Sequence, residues 1–252
     1  MNEKTHTPHR ILLTGASGAM GKVIGPGLAQ RGHFVRGFSR RAAEGFTEMH
    51  TGDLTDRDAV LRAAEGVDTL VHLGAYPDRA DFIEQLLGPN VIGLHYTLEA
   101  AVRQKVRRVI LASTIQVVSG AWKKEGPRRV DETHPTNHYA LTKVWAEAAG
   151  EMYARCHSLS VLAVRICWFV RNPDEARRVD KGGANVYFSA ADAIRFYTLA
   201  VEADRPAPGE YACVFAASKP ADRAVVDLEP ARQLIGYEPQ DTWPQGLGFE
   251  FP

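Results

Sequence analysis

Tyr139-Ala140-Leu141-Thr142-Lys143 sets a phenol and an ammonium four residues apart. On a helix, that spacing puts both side chains on one face. An ammonium near a phenol favours the phenolate and lowers a pKa that is about 10 when unperturbed. A phenol tuned in this way can exchange a proton with an alcohol or carbonyl oxygen. Thr114, in Ala112-Ser113-Thr114-Ile115-Gln116, lies just beyond an apolar run and offers a hydroxyl to the same oxygen. Asn90, in Asn90-Val91-Ile92-Gly93, could hold a water or a backbone group near the lysine. Tyr139, Lys143, Thr114 and Asn90 form the candidate catalytic set. The plain alternatives are a chance Tyr-Lys spacing and, for Asn90, a local contact at a kink after Pro89.

A second group could hold a phosphate. Gly15-Ala16-Ser17-Gly18-Ala19-Met20-Gly21 follows an apolar run and opens a helical stretch, with spacing GxxGxxG. Gly15 would permit the tight turn, Gly18 a close approach to a pyrophosphate, and Gly21 close helix–strand packing. The N–H groups at the helix start add donors and a positive dipole end. A dinucleotide cofactor is therefore expected. Its type turns on the end of the second strand, where an acidic residue normally holds the ribose of NAD. Here stand Ser39, Arg40 and Arg41, with no carboxylate until Glu44. The two arginines could pair with a 2′-phosphate, so NADP is favoured and NAD is the alternative. Asp53, beside Leu54, could accept the adenine amino group, or could simply be a turn residue.

The positioning elements are legible as alternating apolar runs and helical spacings. Strands are expected at Arg10–Thr14, His33–Phe38, a short third ending near Met49, Asp68–Leu73, Arg108–Ala112 and Ser160–Ile166. Helices are expected at Met20–Gln30, at Asp56–Glu65 behind a Thr55 cap, across Asp81–Gln104 with a kink at Gly88-Pro89, and at Asn137–Cys156. That order predicts an α/β fold with a Rossmann-type, doubly wound parallel sheet. It is read as one domain over residues 1–252, with small substrate-binding elements within about 167–252. The polar stretch 171–185 reads as a mobile loop.

Composition removes several function classes. The 252 residues carry 30 Lys+Arg against 30 Asp+Glu. Zero net charge argues against a nucleic-acid partner or a polybasic membrane anchor. No apolar run reaches a membrane span, and MNEKTHTPHR lacks the apolar region of a secretion signal. Cys156, Cys167 and Cys213 are scattered, so a reducing, cytoplasmic setting is expected. Nine histidines include no metal-ligand pattern, and no metal site is expected. His6 and His9 are read as part of a floppy tail. His134 and His138 flank the approach to Tyr139 and are read as loop positions or substrate contacts. Trp122-Lys123-Lys124 reads as a solvated loop, and Trp145 as a core or interface residue.

The segments TGASGAMG, GDL, HLGA, NVIG, AST and YALTK occur in one order. Together they resemble the extended short-chain dehydrogenases/reductases, the NAD-dependent epimerase/dehydratase family, with uronate dehydrogenase-like members most similar. The resemblance implies an oxidoreductase moving hydride between nicotinamide and a small sugar, sugar acid or other alcohol or ketone. It makes Tyr139 the acid/base and gives Lys143 the nicotinamide ribose. Thr114 takes the place of the usual serine. Leu73, Gly74, Ala75, Ala112 and Ile166, at strand ends, would pass against the cofactor. Tyr76, Ile115, Gln116, Cys167 and Trp168 complete the substrate set with Thr114 and Tyr139. Several positions depart from uronate dehydrogenases. Ile115-Gln116 replaces Asn-His, and Cys167-Trp168-Phe169-Val170 replaces small polar residues. Their carboxylate-binding arginine is missing near Gly182-Gly183, and Arg171, Arg177 or Arg178 could compensate. An epimerase or dehydratase using the cofactor transiently is the first alternative, although no acid pair follows Thr114. A cofactor-sensing protein is the second, although Tyr139 and Lys143 are both kept. The short stretch after Arg165 favours a small substrate. The helices from Pro89 to Gln104 and from Asn137 to Cys156 correspond to the dimer interface of much of the family, which implies a homodimer.

Overall fold

A computed structural model describes residues 7–77 and 80–251, so His6 lies outside the described residues. The first apolar run is strand β1 (Arg10–Thr14), buried from Ile11 to Thr14. β2 (Phe34–Ser39) pairs with it on one side and β4 (Thr69–His72) on the other. β3 (Glu48–Thr51), β5 (Arg108–Thr114), β6 (Ser160–Ile166) and β9 (Tyr211–Ala216) complete a seven-stranded sheet of order β3-β2-β1-β4-β5-β6-β9. All its pairings are parallel. The strand order reverses between β1 and β4, the place where an open parallel sheet leaves a crevice at its carboxyl ends. β7 (Trp168–Phe169) and β8 (Tyr187–Phe188) form a separate parallel pair.

Strand side chains alternate between two helical layers. Ile11, Leu13, Val71 and Ile110 face one core with α1 (Gly21–Gln30), α7 (Ala190–Glu202) and α8 (Glu229–Ile235). Leu12, Leu70, Val109 and Leu111 face the other with α2 (Arg57–Ala63), α3 (Gly93–Arg103) and α4 (His138–His157). Strands buried on both faces read as continuous apolar runs, which is why they could be found from sequence.

Several expectations need correction. The α2 cap is Asp56, whose carboxylate accepts from Ala59 N, while Thr55 is turned toward Asp53. β5 continues through Thr114, so this residue ends the strand rather than following it. The stretch expected as one kinked helix is a wide π-type turn over Phe82–Ile92, with Pro89 inside, running on into α3. The helix expected over Met20–Gln30 is present as α1 with Pro26 inside it, and Gly25 and Gly27 leave room for Phe46 and Ile194 to lie against it. The stretch 171–185 contains two short helices, α5 (Pro173–Ala176) and α6 (Lys181–Ala184), capped by Asn172 and Asp180. Trp145 is 39% exposed and is therefore not a core residue. β9 was not anticipated at all. Among the described residues, no helix is long and apolar enough to cross a membrane.

Candidate active site

The crevice at the strand ends is a cleft of about 710 Å³. The loop after β1 forms one end. Gly15 has φ +75°, a left-handed conformation that glycine takes without strain, and its N–H donates to Phe38 O at 2.8 Å. A β-carbon at Gly21 would stand 2.3 Å from Gly15 O. A side chain there would close the turn, so the cradle stays open only with glycine. Met20 gives α1 no side-chain cap, and Gly18, Ala19, Met20 and Gly21 line the cleft at the start of that helix. This bare, positively polarised helix start fits a pyrophosphate. Ala16 is buried behind the loop, and Ser17 N donates to Ser39 Oγ at 3.2 Å.

The loop is also tied to β4. Gly74 N donates to Thr14 Oγ1 at 3.2 Å, and that hydroxyl shares a 2.9 Å hydrogen bond with His72 Nδ1. Burial pushes the His72 pKa down to about 3, aided by the Lys143 charge, so the ring is neutral. Gly74 lies under Gly15 and against Leu54, while Leu73 and Ala75 line the cleft.

Asn137 caps α4 by accepting from Ala140 N at 2.8 Å, which puts Tyr139 and Lys143 in its first turns. Both line the cleft, with Lys143 Nζ 5.8 Å from the Tyr139 ring centroid. Lys143 is 5% exposed, and its ammonium donates to Ala112 O at 2.9 Å. Burial lowers its pKa to about 8, against a smaller opposing pull from Glu147. Across the cleft, Thr114 Oγ1 accepts from Gln116 N at 3.3 Å, and Gln116 Oε1 accepts from Asn137 Nδ2 at 3.0 Å. Ala112, Thr114, Ile115, Gln116, Ile166, Cys167 and Trp168 all line the same space. Burial pushes the Cys167 thiol up, which keeps it protonated.

Other expected residues stand elsewhere. Asn90 is not on the cleft wall. It is 4% exposed, accepts from Tyr76 N at 2.7 Å, and donates to Tyr76 O and to Thr142 Oγ1. It thus braces the chain beside Ala75 and Pro77, which do line the cleft, against the turn between Tyr139 and Lys143. The Tyr76 side chain is turned to Gln85 and is absent from the wall. Ser39 donates to Arg41 O, and Arg40 and Arg41 are exposed beyond the cleft lining. Asp53 accepts from Thr55 N and Oγ1, and these bonds, with the nearby Arg40 charge, hold its carboxyl below the usual range. His134 and His138 do not line the cleft. Among the described residues, no group of three or more His, Cys, Asp or Glu could hold a metal ion.

Sequence reasoning missed a buried network behind the site. Glu147, one turn after Lys143, accepts from Arg165 Nε at 2.9 Å, Arg165 Nη2 at 2.8 Å and Ser113 Oγ at 2.5 Å. Arg165 also donates to the carbonyls of Arg129 and Glu132, in the segment leading to α4. Ser113 and Thr114 both line the cleft, but the Ser113 hydroxyl is taken up by Glu147, whereas the Thr114 hydroxyl accepts from Gln116 N and keeps its proton to donate. Phe169, Arg171, Glu175, Arg178 and Val186 were also missed as cleft residues or left unplaced. Arg171 is paired with Glu175, and Arg177, paired with Asp174, is not on the wall.

The profile of the NAD dependent epimerase/dehydratase family matches residues 11–175, which hold the glycine loop, Thr114, Tyr139 and Lys143. The chain belongs to this family. Among relatives, uronate dehydrogenase of Pseudomonas syringae pv. tomato is 34% identical over 64% of this chain. That match covers 60% of the relative, so this chain spans less than two thirds of its length. L-arabinose 1-dehydrogenase (NAD(P)(+)) of Haloferax volcanii is 30% identical over 92% of this chain and 97% of its own. Among solved structures, a mutated uronate dehydrogenase superposes with a TM-score of 0.81 at 25% identity, covering 98% of this chain and 89% of that one. A uronate dehydrogenase of Agrobacterium tumefaciens complexed with NAD gives 0.78 at 26% identity, covering 93% and 86%. The family and these superpositions agree with the doubly wound sheet.

Proposed function

We propose that this member of the family is an NAD(P)-dependent dehydrogenase of a small sugar, sugar acid or related alcohol, working as one domain. The observation that carries the reading is that Tyr139, Lys143 and Thr114 line the same cleft as the open glycine cradle. NAD(P), held by Gly15 to Gly21 and Lys143, would supply the hydride acceptor. Tyr139 takes the proton of the substrate hydroxyl, Thr114 donates a hydrogen bond to that oxygen, and the Lys143 ammonium favours the phenolate. Protonated Lys143 is in supply below about pH 8, where its folded pKa lies. Position and electrostatics are the protein's share of such a reaction. Asn90 acts through the backbone it braces. The wall of Ile115, Cys167, Trp168 and Phe169 is more apolar than the Asn-His and Gly-Ser stretches of uronate dehydrogenases, which leaves the sugar class wider than hexuronates.

NADP remains the favoured cofactor because Arg40 and Arg41 are exposed where β2 ends, without a neighbouring carboxylate on that strand. NAD is the alternative, and NAD is the ligand named for the Agrobacterium structure. A homodimer is supported by Ile83 and Ile92 near α3 and by Leu141, Trp145 and Met152 on α4, large apolar side chains left exposed on two neighbouring elements. Three free cysteines accord with a reducing cytoplasm.

The test is to mix the protein with NAD or NADP and a panel of sugars, sugar acids and alcohols, and to read the absorbance of reduced cofactor together with product identity. Net reduction is expected. Product formation without net reduction would replace this reading with an epimerase or dehydratase.

A further inference from the structure

A second cavity, of about 830 Å³, lies on the other side of Trp168. Trp168 and Val186 line both it and the cleft, so the two spaces share a wall. Its outer walls are the turn 122–126 and the segment 223–225. Nothing in the chemistry above uses it.

The cavity is built, not left over. Arg128 is 2% exposed, and its guanidinium donates to the carbonyls of Ala121, Lys124, Glu125 and Gly126, which fixes the turn. Arg128 N donates to Val225 O at 2.7 Å, and Asp227 N donates to Arg128 O at 2.9 Å, which pins the second wall to the first. At the partition, a β-carbon on Gly183 would stand 2.5 Å from the Trp168 ring. Any side chain at 183 would push the indole into one of the two spaces.

The charges at this cavity are unevenly committed. Lys124 is paired with Glu132 at 2.8 Å, and Arg128 is satisfied by carbonyls. Lys123 and Arg223 are exposed at the lining, and among the described residues neither has a side-chain hydrogen bond or ion pair. Glu125 is the single acidic residue among the lining. Trp122, 45% exposed, adds an apolar face. Two uncommitted cations over a built cavity attract an anion through charge-assisted hydrogen bonds.

We propose that this cavity binds the anionic end, phosphate or carboxylate, of a sugar derivative whose other end lies at Tyr139, with Lys123 and Arg223 as the anion's partners and Trp168 as the partition it passes. The proposal rests on the dehydrogenase reading and narrows its substrate to sugars carrying a negative group away from the oxidised carbon. A neutral sugar would leave both cations unpaired.

The experiment compares glucose with glucose 6-phosphate and with glucuronate, at saturating NAD or NADP, for the natural protein and a Lys123→Gln/Arg223→Gln double variant. Both positions are exposed, so folding is not at stake. At least one anionic sugar is expected to show a KM about tenfold below that of glucose, and the double variant is expected to erase that advantage. The KM for glucose and for the cofactor should stay within about twofold. Comparing the two anionic sugars tells phosphate from carboxylate. Equal KM values for all three sugars, or an anionic advantage that survives in the double variant, would overturn the proposal. If none of the three is oxidised, the dehydrogenase reading is decided by the wider panel above, and calorimetric titration of glucose 6-phosphate and glucuronate into the cofactor complex decides the cavity. Binding that the double variant abolishes supports it, and no binding, or binding that survives, refutes it.

Discussion

Glu147 and Arg165 offer the sharpest test of how the site is held. Their side chains are 8% and 2% exposed, and two hydrogen bonds of 2.9 and 2.8 Å join them. Glu147→Leu would leave the guanidinium buried with only the carbonyls of Arg129 and Glu132, and would orphan the Ser113 hydroxyl. Removing one partner of a buried pair costs about 3–5 kcal/mol. For a chain of this size, a loss of 1 kcal/mol lowers Tm by roughly 2–4 °C, so a fall of roughly 6–20 °C is expected. Arg165→Met should cost a similar amount, because it strands the carboxylate. Replacing both at once removes two charges together and should recover most of the loss, since apolar replacement of a buried pair is often neutral. Urea unfolding of the four proteins, followed by tryptophan fluorescence, gives the coupling directly, and with single losses of about 3–5 kcal/mol each and a double loss of about 1 kcal/mol or less, at least about 5 kcal/mol is expected. If the double variant's loss equals the sum of the single losses within about 0.5 kcal/mol, the pair is not a coupled unit and the reasoning fails.

Four further outcomes follow from the geometry. Tyr139→Phe should lower kcat by roughly 10²–10⁴-fold while cofactor titration shows unchanged binding; a near-normal rate would sink the proton-transfer role. Arg40→Ala should weaken NADP more than NAD in paired binding measurements, and equal effects would remove the 2′-phosphate argument. Gly21→Val should raise the cofactor Kd more than about tenfold and lower Tm, because its β-carbon has no room beside Gly15 O. His72 is neutral when folded, with a pKa of about 3, and the unfolded chain binds its proton near pH 6.5. The stability it contributes is full above that value and is lost as the pH falls toward 3, by about 2 kcal/mol at pH 5 relative to pH 7. Unfolding at the two pH values checks this, since His72→Asn should remove that part of the slope.

Much of the frame could be read from the residues. β1 and β6 matched their expected bounds, because a strand buried on both faces must be apolar throughout. The Tyr139–Lys143 pair and the glycine loop were equally legible, since both depend on chain geometry over a few residues. β9 was not anticipated, although Tyr211–Ala216 is itself an unbroken apolar run of six residues with aromatic and β-branched members, the signal that could have found it. Arg40 and Arg41 were placed correctly at the end of β2, yet the cleft lining does not reach them.

Local spacing, then, determined the sheet class, the glycine turn and the placing of Tyr139 and Lys143 on one helix face, because helical and strand periods act between near neighbours. Tertiary structure alone committed the Ser113 hydroxyl to Glu147, across 34 residues. It alone made Asn90 a brace for Tyr76, 14 residues away in the chain. It alone put Trp168 between two cavities, through the pairing of β7 with β8 and the bare backbone of Gly183. Such contacts join segments whose separation along the chain carries no periodic signal, and only the closing of the fold brings them within reach.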